Sequence, residues 1–409
     1  MEMNALRISI RGSEFLHINS RRNKTKPAGY LSIPLNKALE MTVPEQEYVY
    51  YHAGGKRGSR PVLRGTTAKE TFESIPVVDV SGLFSTKLAD RKRVALDIGK
   101  ACRDVGFFYA ENHDIPDNVI EETFQAVKKF FAMPIEDKME VHLHKSAALR
   151  GYEPLFETKM EGTGRGDMKE AFTIGDDPCD PEQNAPRQPD PSTPKRNSWP
   201  SAYPEFRPQM YEYYTRVLAF SQKLMQAFAL ALDLPEHYFD DATSFPMVGV
   251  RILHYQPQER QDARDIGLGA HTDYSFFTLV QQEKIAALQV LNANGIWIDA
   301  PPKPRTYVVN VGDFLSRITN GALKSTVHRV LNTSGAERYS MPFFFSPNRE
   351  ATLDIVPTCR VEGDEEKGVN AGEYFMERLR AARWQHPSNN GKPAPKVQNV
   401  STGEVAVGA

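Results

Sequence analysis

MVGVRILHY, residues 247–255, breaks with the chain before it. Upstream, apolar residues recur at helical spacing; here a β-branched run is cut short by turn-forming residues. Similar short runs follow: FFTLVQQ (276–282), ALQVLN (287–292), IWIDAP (296–301), TYVVNV (306–311), STVHRVLN (325–332), YSMPFFFS (339–346) and ATLDIVP (351–357). Turn signals separate them, among them Asn-Ala-Asn-Gly (292–295) and Ser-Gly (334–335). This many short strands after a helical section fits a mainly β, α+β chain built on a double-sheet jelly roll.

Before residue 245 the periodicity is helical. RKRVALDIGKACRDV (91–105) and VIEETFQAVKKFFAMP (119–134) each carry one apolar stripe and stop at Gly106 and Pro134. In 205–233, Tyr213, Val217, Phe220, Leu224, Phe228 and Ala231 line one face, as in a helix that backs a sheet. IPVVDVSGLF (75–84) reads as a strand. The Gly- and Pro-rich stretch 160–203 is too long for a simple connection and reads as a lid or a disordered loop. Residues 1–70, rich in Arg, Lys, Gly and Pro, read as a poorly ordered extension, and 387–409 as a flexible tail.

Bulk properties exclude several classes. The 409 residues carry a net charge of −2, so no basic field draws nucleic acid or anionic membrane. No run of apolar residues is long enough to span a bilayer, and the N-terminus lacks the apolar core of a secretory signal. Cys102, Cys179 and Cys359 are odd in number and far apart, which fits a reducing, cytoplasmic setting. The expectation is a protein that is a monomer or a weak homo-oligomer and works on a small molecule.

Within the strand-rich half, His271 and Asp273 stand two apart in GLGAHTDYS (267–275). On extended backbone both side chains share a face. By itself His-x-Asp is a common chance pairing. His328 lies 57 residues on, in another expected strand. Two imidazoles and one carboxylate suit a facial triad around non-haem Fe(II), which leaves coordination positions open. They also suit zinc, although the helical H-E-x-x-H of zinc hydrolases is missing. A strand histidine satisfied in the core is the plain alternative for His328. Ten residues further, Arg338 and Ser340 alternate onto one strand face. A buried Arg needs an anionic partner, either a neighbouring Asp or Glu or the carboxylate of a dicarboxylic cosubstrate.

His271-x-Asp273, His328 and Arg338-x-Ser340 together resemble the 2-oxoglutarate- and Fe(II)-dependent dioxygenases, in the branch similar to isopenicillin N synthase. Further blocks carry the likeness: SIPVVDVSGL (74–83), DVGFFYAENHDIP (104–116), RGYEPL (150–155), VRILHYQP (250–257), LQVLNANGIWIDAPP (288–302) and RYSMPFFFSPN (338–348). The resemblance covers about 75–385. It implies a distorted double-stranded β-helix, with a helical region at 71–245 packed on a catalytic region at 246–386.

The resemblance also implies Fe(II) on His271, Asp273 and His328, with 2-oxoglutarate clamped by Arg338 and Ser340 and O₂ as oxidant. Tyr255 matches a cosubstrate contact, although Leu253 and Gln256 depart from the Asn-x-Tyr-Pro of many members. Phe344 alternates with Ser340 toward the same interior and is a candidate substrate contact. Tyr152 and Phe172, with Arg150 and Lys169, fall where the family's N-terminal segments approach the substrate. The implied activity is oxidation, most simply hydroxylation, of a small organic molecule in secondary metabolism. Two related readings stay open: an isopenicillin N synthase-like oxidase that does without 2-oxoglutarate, and a thymine hydroxylase-like pyrimidine oxygenase.

Overall fold

The computed structural model describes residues 46–146, 148–157, 168–177, 197–257, 267–332, 334–364 and 367–382. A hairpin of β1 (Tyr48–Ala53) and β2 (Lys56–Pro61) comes first, then β3 (Val77–Asp79), α1 (Leu88–Asp104), β4 (Phe107–Glu111), α2 (Asp117–Phe131) and α3 (Ile135–Glu140). β5 (Gly151–Glu153) and β6 (Glu170–Gly175) precede the long helix α4 (Phe206–Ala231). There follow β7 (Pro246–Tyr255), β8 (Leu268–His271), β9 (Phe277–Gln282), β10 (Leu288–Leu291), β11 (Trp297–Asp299) and β12 (Thr306–Val311). Last come α5 (Asp313–Ile318), β13 (His328–Val330), β14 (Arg338–Asn348) and α6 (Ala371–Ala382).

The strands form a major sheet in the order β3-β4-β12-β9-β14-β7-β6-β5 and a minor sheet in the order β11-β10-β13-β8-β1-β2. TYVVNV in β12 is buried at all six positions, which requires cover on both faces of the sheet. On the outer face Tyr307, Val309, Phe343, Phe345 and Ile252 pack with α1, α2 and α4. On the inner face Val308, Phe107, Leu253 and Tyr255 pack against Leu288, Val290 and Val330 of the minor sheet. The two faces alternate residue by residue, as strand geometry demands. This is the double-stranded β-helix that the strand pattern and the family resemblance imply.

Three differences from the sequence reading matter. The hairpin β1–β2 lies inside the stretch 1–70 read as poorly ordered; residues 1–45 are outside the described residues, as is the tail 387–409. Its turn, Ala53-Gly54-Gly55-Lys56, has φ of +56° at Gly54 and +79° at Gly55. A two-residue hairpin turn needs this conformation, and Gly-Gly supplies it cheaply. The region 71–245 is not simply helical, since β3 to β6 are half of the major sheet. Much of 160–203 is outside the described residues, but 170–175 within it is strand β6.

A polar knot ties α3 to the outer face of the sheet. Glu170 accepts from Tyr152 Oη at 2.5 Å and Lys138 Nζ at 3.0 Å, and meets His254 Nδ1 at 2.7 Å. Burial pushes the Glu170 carboxyl up, but the bonds from His254, Tyr152 and Lys138 prevail and hold it below its ordinary value. A depressed carboxyl stabilises the fold above its unfolded pKa, and that contribution is lost as pH falls through the folded value. Glu170→Gln leaves buried Lys138 without its anion, so urea unfolding at pH 7 should show a loss of about 3–5 kcal/mol. The gap should narrow in acid. Equal unfolding midpoints at pH 7 would refute this role.

Candidate active site

The minor sheet brings the three expected ligands together by register. His328 on β13 is the cross-strand partner of His271 on β8, and Asp273 follows β8 directly. Potential ligand atoms of His271, Asp273 and His328 all lie within 4.8 Å of one another. His271 Nε2 is 3.5 Å from Asp273 Oδ1, and His328 Nε2 is 3.8 Å from it. Each imidazole uses its other nitrogen on backbone: His271 Nδ1 meets Gly269 O at 2.8 Å and His328 Nδ1 meets Thr326 O at 3.2 Å. A carbonyl only accepts, so Nδ1 carries the proton and Nε2 keeps its lone pair toward the shared centre.

Asp273 is oriented by two side chains that no motif announces. Its Oδ2 accepts from Thr278 Oγ1 at 2.6 Å and from Asn310 Nδ2 at 2.8 Å. Oδ1 is thereby turned to the histidines. Burial acts to raise the Asp273 carboxyl, but His328, His271 and Thr278 hold it well below the carboxylate range. Burial and the neighbouring His271 push His328 down to about 4. At neutral pH Asp273 is therefore a carboxylate and His328 a neutral imidazole, the donor states a divalent cation requires of them. Fe(II) fits this donor set. Asn310→Ala should weaken Fe(II) binding about 10- to 100-fold, in the range of other oriented ligands that lose their support. Metal titration of the apoprotein checks this, and an unchanged affinity would refute it.

The loop holding the ligands is tied down on its far side. Thr272, as expected from alternation, turns away from the histidines: its Oγ1 donates to Asp313 Oδ2 at 3.1 Å. The same oxygen of Asp313 accepts from Gly54 N at 3.1 Å and Arg378 of α6 at 3.0 Å. A Cβ at Gly312 would sit 2.1 Å from Ser275 O, so only glycine lets α5 approach the loop this closely.

Arg338 is 1% exposed at the start of β14, on the inner face. Its Nε donates to Ile285 O at 3.2 Å and one terminal nitrogen to Gln282 Oε1 at 3.3 Å. Its other terminal nitrogen, Nη1, is buried with no partner among the described residues. No carboxylate pairs with Arg338 among the described residues either. Burial lowers its pKa, while adjacent Tyr255 works the other way. The Tyr255 ring packs 4.9 Å from the guanidinium, and Tyr255 is the cross-strand partner of Arg338. Ser340 stands two residues along the same face, 2% exposed. A buried cation with a donor left over fits a carboxylate ligand such as that of 2-oxoglutarate.

Of the other candidates, Phe344 lies opposite Thr278 across β9, and so on the inner face beside the carboxylate support. Tyr152 and Phe172 are corrections. Phe172 packs among Phe130 and Phe206 with centroids at 4.7 and 5.3 Å, and Tyr152 bonds Glu170. Both face the helices, on the side of the sheet away from the ligand set. Arg150 is occupied with Asp176 at 2.9 Å, whereas Lys169 lies 3.7 Å from Glu153. A second group, His142, His144 and Glu157, also clusters, but its carboxylate meets the two rings at 3.0 and 2.8 Å and satisfies them directly.

Sequence comparison agrees with the geometry. The model of the non-haem dioxygenase N-terminal region, described for morphine synthesis, matches residues 75–202, and that of the 2OG-Fe(II) oxygenase superfamily matches 248–347. A 2-oxoglutarate-Fe(II) type oxidoreductase, hxnY of Emericella nidulans, is 36% identical over 71% of this chain and 85% of its own length. Homoarginine-6-hydroxylase 2-ODD-C23 of Glycine max is 33% identical over 74% and 94%. Among solved structures, a full-length Neurospora crassa protein in complex with alpha-KG is 30% identical, with a TM-score of 0.67, covering 75% of this chain and 96% of that one. The same Neurospora protein in complex with alpha-KG and thymine scores 0.66 at 28% identity over the same shares of the two chains.

Proposed function

This chain belongs to the 2OG-Fe(II) oxygenase superfamily, and from that premise we propose how its own residues serve the reaction. As a dioxygenase it uses Fe(II), 2-oxoglutarate and O₂ to oxidise a small organic molecule. We assign the metal to His271, Asp273 and His328, and the far carboxylate of 2-oxoglutarate to Arg338 and Ser340, with Tyr255 against the guanidinium. The single observation that carries this is a metal-competent triad on the minor sheet together with a buried Arg338 on the inward face of the major sheet, whose Nη1 has no hydrogen-bond partner among the described residues.

When bound, iron and cosubstrate supply the oxidising power. The protein's part is positional. Asn310 and Thr278 aim one carboxylate oxygen at the imidazoles. Gly269 O and Thr326 O hold the imidazole protons on Nδ1. Arg338, itself buried, orients a carboxylate by charge-assisted hydrogen bonds, and Phe344 presents an apolar surface to the substrate. We read the outcome as hydroxylation in secondary metabolism, by a cytoplasmic monomer or weak homo-oligomer without nucleic-acid or membrane partners. The net charge of −2 supports the absence of a nucleic-acid partner, and no helix among the described residues is long and apolar enough to cross a membrane.

The test is an anaerobic titration of the Fe(II) protein with 2-oxoglutarate, followed by O₂. A visible charge-transfer band and then succinate are expected. Turnover of a substrate with neither band nor succinate would favour an oxidase that does without 2-oxoglutarate, in which Arg338 grips the substrate.

A further inference from the structure

The row of residues that begins at the metal ligands does not end with them. His328 on β13 pairs with His271 on β8. His271 pairs in turn with His52 on β1, and His52 with Arg57 on β2. Cross-strand partners share a face, so His328, His271, His52 and Arg57 form one line across the minor sheet. The hairpin that supplies the last two precedes the residues matched by either family model, which begin at 75. It is nonetheless locked to the ligand loop: Thr272 N donates to His52 O at 3.0 Å, and Gly54 N donates to Asp313.

Alternation settles which way the hairpin faces. Val49, Tyr51 and Ala53 pack on the outer side with Ala270, Leu291 and Val327. Tyr50 and His52 therefore share the side of His271. Arg57 is exposed and makes no ion pair among the described residues; its one hydrogen bond there, at 3.5 Å, is from Nε to His52 Nε2. His52 is not among the atoms that cluster around Asp273, so it stands beside the metal set rather than in it. Tyr50, 74% exposed, offers an aromatic surface on the same face.

We propose that the inner face of this hairpin is the substrate subsite, and that it selects an organic carboxylate held by Arg57, with His52 beside it and Tyr50 against the apolar body. The inference rests on the dioxygenase reading above and names the substrate class of that same site. An Arg two strand spacings, about 9–10 Å along the sheet, from the ligand histidine favours acids whose carboxylate is several bonds from the oxidised carbon. A planar guanidinium matches a carboxylate with two parallel hydrogen bonds. A neutral pyrimidine offers it no charge.

The experiment uses the full chain loaded anaerobically with Fe(II) and 2-oxoglutarate. The charge-transfer band, read before any probe is added, tests the dioxygenase reading separately. Matched acids and amides are then titrated in: benzoate and benzamide, phenylacetate and phenylacetamide, 4-phenylbutyrate and 4-phenylbutyramide, with thymine alongside. Acids should perturb the band at concentrations about 10- to 100-fold below their amides and thymine, as expected for a charged hydrogen bond. Arg57→Gln should erase that preference, and Arg57→Lys should keep part of it. The proposal is overturned if amides or thymine act as strongly as acids, if no acid perturbs the band, or if Arg57→Gln retains the preference.

Discussion

Asp273→Ala should give a folded protein that neither retains Fe(II) nor makes succinate. The reason is the geometry around one oxygen. Oδ1 is the anionic donor that faces both imidazoles, at 3.5 and 3.8 Å; alanine leaves a dication facing two neutral rings. Loss of an outer support costs about 10- to 100-fold in metal affinity, so loss of the charged ligand itself should exceed about 100-fold. The oxidising chemistry belongs to the iron, and activity should fall to the background of the metal-free protein. Metal analysis after desalting and a succinate assay read the two effects. An Asp273→Ala protein with full iron content and full turnover would refute the triad assignment. Asp273→Glu, which keeps the charge but lengthens the arm, should recover part of the metal and little of the rate, since Asn310 and Thr278 are placed for the shorter carboxylate.

Arg338→Gln should leave iron in place and weaken 2-oxoglutarate. Truncating one member of a buried, hydrogen-bonded charge pair costs about 2–5 kcal/mol, which is about 30- to 4000-fold in the 2-oxoglutarate concentration needed for half-saturation. The signature is selective: the metal content is unchanged, the charge-transfer band appears only at high cosubstrate, and the loss is mostly in KM. Arg338→Lys should do only slightly better, because an ammonium is a point charge and cannot reproduce the fork that packs on Tyr255. An Arg338→Gln enzyme with unchanged 2-oxoglutarate dependence would assign the guanidinium to another ligand.

The clustering of His271, Asp273 and His328 and the inward placing of Arg338 and Ser340, proposed here as triad and clamp, were legible because spacing carries their information. Two residues along a strand put His271 and Asp273 on one face, and the same rule links Arg338, Ser340 and Phe344. Helices were legible because α1, α2 and α4 each bury one stripe; the face of α4 marked by Tyr213, Val217, Phe220, Leu224, Phe228 and Ala231 is buried as the pattern requires. The failures have equally definite causes. Tyr152 and Phe172 lie in strands covered on both sides, where alternation says which residues share a face but not which face meets the metal. Thr278 and Asn310 belong to no motif; each is one inward polar position flanked by apolar residues of its strand. The hairpin carries a local signal in Gly54-Gly55, but its first run, YVYYHA, is apolar or aromatic at nearly every position without alternation, and its second, KRGSRP, is rich in charge.

What the sequence determined by itself is therefore local and periodic: a helical section, a succession of short strands, and donor residues of the right chemistry at the right spacing. It also determined the family, because several ordered blocks recur together. The tertiary structure decided the rest. It set which face of the major sheet turns inward, which side chains orient Asp273, and the placement of His52 beside His271. The last of these depends on strand pairing across more than two hundred residues, His52 with His271. No local propensity records such a pairing, since its free energy comes from surfaces that meet only when both sheets have formed.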